Sequence, residues 1–89
     1  MNTIPPGDRW GPFALDLRPA ERLGRLRALR AIARLLLGPR GEGLTRLLAL
    51  AEIDPAPSTL ACAVELINAM PSLDRRKVLS SYAALNRPA

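Results

Sequence analysis

The sequence predicts an all-α fold: a small four-helix domain, residues 19–89, behind an irregular Pro/Gly-rich N-terminal arm, residues 1–18. Three observations carry this expectation. Successive segments place apolar residues at i, i+3, i+4 and i+7, the spacing of one helix face. No segment alternates apolar and polar residues as a half-buried strand does. Proline and glycine clusters divide the segments into helix-sized lengths.

The arm runs from Met1 to Arg18, and Pro5, Pro6, Gly7, Gly11 and Pro12 exclude a long helix or a central strand from it. It nevertheless holds Trp10 and Phe13, the chain's one Trp and one Phe. A solvating tail rarely uses its aromatics in this way. Two uses are open: the rings plug the end of the helical unit, or they insert into a partner or a sister subunit.

The first helix is expected over residues 19–37. Pro19 suits its first position, Glu21 meets the positive helix end, and Gly38-Pro39-Arg40-Gly41 stops it. Leu26, Leu29, Ile32, Ala33 and Leu36 form its inward face, with Arg22 and Arg25 on one flank. Arg27, Arg30 and Arg34 form a basic stripe about 10 Å long on the other flank. Leu23, Leu35 and Leu37 fall outside the main apolar face, so this helix calls for a second neighbour.

A second helix fits residues 42–53, with Leu44, Leu47, Leu48 and Ala51 inward and Thr45, Arg46, Ala49 and Glu52 on the other side. A third fits residues 55–70, capped either by Asp54 or by Ser58, with Leu60, Ala63, Val64, Ile67 and Met70 inward. A fourth fits residues 72–86, capped by Ser72, with Asp74 in its first turn and Val78, Tyr82 and Leu85 inward. Asn86-Arg87-Pro88 closes it.

Length bounds the energetics. A chain of 89 residues forms one domain and buries roughly 60–65% of the surface that its unfolded form exposes. One cysteine, Cys62, forms no internal disulfide and suits a reducing compartment; its neighbours Ala61 and Ala63 suggest plain packing. Residues 1–20 contain four prolines and no continuous apolar stretch, unlike a secretory signal, so the cytoplasm is the expected location. No apolar run approaches the roughly 20 residues of a membrane-spanning helix.

The charge is unevenly spread. Residues 1–46 hold nine arginines against four acids, whereas residues 47–89 balance four cations with four acids. The net charge of +5 therefore lies in the first half, and arginine outnumbers lysine twelve to one. A codon bias explains arginine over lysine but not the clustering.

Enzymatic chemistry is a poor fit. The chain has no histidine, its acids are scattered singly, Ser80-Ser81 has no base partner in sequence, and no phosphate-binding glycine loop follows a strand. Neither a metal nor a cofactor is expected. The expected function is a small non-enzymatic regulatory or adaptor protein that binds a partner protein, as an inhibitor, adaptor or assembly subunit. Trp10, Phe13, Arg27, Arg30 and Arg34 are the expected contact residues, because Trp and Arg often dominate interfaces. Self-association as a dimer is expected from the small core and the many-sided first helix. The alternative is a basic nucleic-acid-binding regulator that uses the arginine stripe and a patch of Arg75, Arg76 and Lys77, a phosphate site at a helix start. A membrane-surface role is disfavoured, since the first helix carries no Trp or Phe on its apolar side.

Overall fold

A computed structural model of the protein describes residues 11–14 and 16–86. Its elements in order are α1 (Pro19–Leu37), a 3-10 turn (Gly38–Gly41), α2 (Glu42–Ile53), α3 (Pro57–Ala69) and α4 (Ser72–Asn86). The class is all-α, with no strand among the described residues. Trp10 and the rest of residues 1–10, Leu15, and the closing Arg87-Pro88 lie outside the described residues.

The same device starts α1 and α3. Proline at the first helical position has no N–H to waste, and it holds the preceding residue extended. Arg18 (φ −67°, ψ 149°) precedes Pro19, and Ala56 (φ −62°, ψ 148°) precedes Pro57. Their carbonyls accept the first helical bonds, from Arg22 N at 2.9 Å and Leu60 N at 3.0 Å. This corrects the expected start of α3: neither Asp54 nor Ser58 caps it, and the helix begins at Pro57 instead of residue 55. At its other end Pro71 holds Met70 extended (ψ 155°), so α3 stops at Ala69. Ser72 is the first residue of α4 instead of its cap, since the Pro71 carbonyl receives the Arg75 N–H at 3.0 Å.

Helix α1 is the centre of the fold: it packs on both α2 and α4, while α3 packs on α2. The core joins Leu26, Leu29, Ile32, Ala33 and Leu37 to Leu44, Leu48 and Ala51, to Ala63 and Ile67, and to Val78 and Tyr82. Among the described residues no polar or charged residue is fully buried. The last turn of α1 departs from expectation. Leu37 is buried and Leu36, expected inward, is 37% exposed. The cause is the 3-10 turn, which folds Gly41 down onto the Leu37 side chain and so covers that side of the helix. Leu85, also expected inward, is 75% exposed.

Part of the arm folds back on α1. Arg22 Nη1 donates to the Pro12 carbonyl at 2.7 Å, and Arg25 Nη1 donates to that of Gly11 at 3.1 Å. Ala14 is buried, and Phe13 is half-buried against the core. The two arginines flanking the apolar face thus clasp the backbone at residues 11 and 12.

Candidate functional site

Helical spacing puts Arg27, Arg30 and Arg34 on the flank of α1 that faces α2. There they meet the α2 side that carries Thr45, Arg46, Ala49 and Glu52. Glu52 is the acid at this junction, its side chain only 9% exposed. Arg30 Nε lies 2.5 Å from its Oε2, and Arg30 Nη2 donates to Oε1 at 3.2 Å. Arg27 Nε stands 3.4 Å from the same Oε1. One α2 carboxylate therefore answers two of the three stripe arginines. Along the same side of α2, Arg46 pairs with Glu42 one turn earlier at 2.5 Å, and both line the space beside Arg34.

Arg34 is different. It is exposed in the last turn of α1, where a cation complements the helix dipole, and no acid among the described residues pairs with it. It stands at the junction of two adjoining grooves. The first is lined by Arg27, Arg30, Ala31, Arg34 and Leu35. The second runs between α1 and α2, past Gly38 and Pro39 to Glu42, Thr45, Arg46 and Ala49. Arg30 and Arg34 line both. Leu35, beside them, is 83% exposed.

The other sequence-predicted residues are elsewhere. Arg75 bends back to the end of α3, where Nη1 donates to the carbonyls of Asn68 at 2.9 Å and Met70 at 2.8 Å. A guanidinium here satisfies carbonyls that the helix end leaves without partners. Arg75 thus closes the α3–α4 corner, separated in role from Arg76 and Lys77, which are exposed. Those two are consecutive, so they project about 100° apart and form no strip. Asp74 pairs with Arg40 of the 3-10 turn at 3.1 Å. Phe13 sits against the core, and Trp10 is outside the described residues. Cys62 is exposed, contrary to the packing expected from its alanine neighbours. No group of His, Cys, Asp or Glu among the described residues could hold a metal ion. No described helix is long and apolar enough to cross a membrane.

Glu52 lies 22 residues from Arg30, so nothing local to the stripe points to it. The one available signal is an acid on an α2 face that carries Arg46 and the small residues Thr45 and Ala49. Both acids at this junction, Glu42 and Glu52, are already engaged by guanidinium groups. Comparison with protein-family models, with curated proteins and with solved structures returns no match.

Proposed function

We propose that the protein acts without chemistry of its own, by binding another protein through the α1–α2 grooves, in the manner of an adaptor, inhibitor or assembly subunit. The observation that carries this reading is the compensation of the arginine stripe. Glu52 answers Arg27 and Arg30, Glu42 answers Arg46, and Arg34 is left uncompensated next to the exposed Leu35. A nucleic acid draws affinity from several cations free to replace condensed counterions. Among the described residues the groove holds one unpaired arginine, Arg34, and an arginine beside a leucine suits a mixed apolar and acidic protein surface better, because Arg and buried apolar contacts together make interface hot spots.

The test is a salt titration of short duplex DNA with the full chain. With Arg34 the one unpaired cation in the groove among the described residues, duplex held in the groove should show a log–log slope of affinity against salt of about −1, and binding at physiological salt should be negligible. Glu52→Gln, which releases Arg27 and Arg30, should steepen the slope to about −3. A slope of about −3 to −4 in the unaltered protein, with firm binding at physiological salt, would overturn the reading in favour of nucleic acid.

A further inference from the structure

Resting on the protein-binding reading, a partner chemistry follows from how the two grooves join. From Arg27 to Gly38 the joined grooves follow α1 for eleven residues, about 16 Å or three helical turns. Their walls mix apolar and charged groups: Ala31, Leu35, Pro39 and Ala49 are apolar, the acid Glu42 is engaged by Arg46, and Arg34 stands among them, paired with no acid of the described residues. Among the described residues there is no sheet edge to which an extended peptide could add, so a helix laid in the groove is the recognition mode this surface offers.

We propose that the joined grooves bind an amphipathic helical segment of an acidic partner protein. One carboxylate of that segment pairs with Arg34, and its apolar side chains cover Leu35 and Ala31. Charge selects this occupant over a second copy of the chain. A second copy brings the same uncompensated Arg34 and the same net charge of +5 to the contact, and like charges placed together oppose association. An acidic helix meets the opposite field and supplies the one counterion that α1 and α2 do not. Covering Leu35 also removes from water an 83%-exposed leucine, which the fold itself leaves open.

The test uses the full chain and four fluorescein-labelled probes: a helical peptide of about 14 residues with glutamates flanked at i±3 and i±4 by leucines; the same peptide with lysine for glutamate; a scrambled peptide of equal composition; and a short DNA duplex. The acidic amphipathic peptide should bind saturably and weaken as salt rises, and the lysine and scrambled peptides should bind at least about tenfold more weakly. Arg34→Glu and Leu35→Asp should each weaken it at least about tenfold. Both positions are exposed, so both variants should keep the helical circular dichroism of the parent. Leu85→Ser, at an exposed position on α4, should leave binding unchanged. Absence of saturable binding, or equal binding of the scrambled peptide, overturns the inference. Binding that survives both Arg34→Glu and Leu35→Asp overturns it too, while leaving the protein-binding reading in place. Tighter binding of the duplex than of any peptide overturns both.

Discussion

Three glycines show how differently one residue type can be used. Gly38 ends α1 with φ 57° and ψ −136°, a conformation close to glycine-only territory, and its N–H donates to the Arg34 carbonyl. Gly41 is a matter of space: a Cβ there would stand 2.7 Å from Leu37 Cβ and 2.9 Å from its Cδ1. Leu37 is buried in the core and has little room to yield. Gly24, in the middle of α1, has neither reason, for a Cβ there meets nothing within 4 Å. Three alanine substitutions should therefore diverge in urea melts. Gly38→Ala should lose about 1–3 kcal/mol through strain, and Gly41→Ala about 1–3 kcal/mol through overpacking. Gly24→Ala should gain about 0.5–1 kcal/mol, because alanine gives up less backbone freedom in a helix. Equal effects at the three sites would mean that neither the turn conformation nor the approach to Leu37 constrains the chain.

At the scale of the elements, what could be read from the sequence is what neighbouring residues determine. Pro19 and the Gly38-Pro39 pair bound α1 at the expected residues, since each acts on its own backbone. Hydrophobic spacing likewise placed Leu26, Leu29, Leu44, Leu48, Ile67 and Val78 in the core. The misreadings arise where a later segment decides. Leu36 and Leu37 exchange roles because the 3-10 turn covers one side of the last turn of α1. The stripe of Arg27, Arg30 and Arg34 was legible as a stripe, but its neutralisation was not, since that depends on the angle at which α2 brings up Glu52. Arg75 is the same case: local sequence presents Arg75, Arg76 and Lys77 as one basic patch, whereas the tight α3–α4 corner turns the first back onto Asn68 and Met70. This division is measurable. Arg75→Ala should cost about 1.5–3 kcal/mol, the worth of charge-assisted hydrogen bonds at a helix end, and Arg76→Ala should stay within about 0.5 kcal/mol. Similar losses for both would remove Arg75 from the corner.

At the scale of the whole molecule, two kinds of association should respond to salt with opposite signs. A domain of this size has a small core, and the described surface keeps Leu50 and Ile53 of α2, Leu73 of α4 and Leu85 exposed. Apolar surface of this extent favours self-association, and we propose a dimer. The two copies each carry a net charge of +5, so their mutual repulsion opposes the apolar gain. Raising salt from about 0.05 to about 0.5 M shortens the screening length from roughly 14 Å to roughly 4 Å and should tighten the dimer. An acidic helix in the α1–α2 grooves is attracted by the same charge, so the same change of salt should loosen it. Sedimentation equilibrium of the protein alone, and of the protein with the acidic peptide, reads both signs on one sample. A dimer that weakens with salt would place ion pairs between the copies, and the free Arg34 would then be the first residue to examine as their source. A single 9.6 kDa species at every concentration and both salts would eliminate self-association. The exposed leucines of α2 and α4 would then be left, with Leu35, as surface for other proteins to cover.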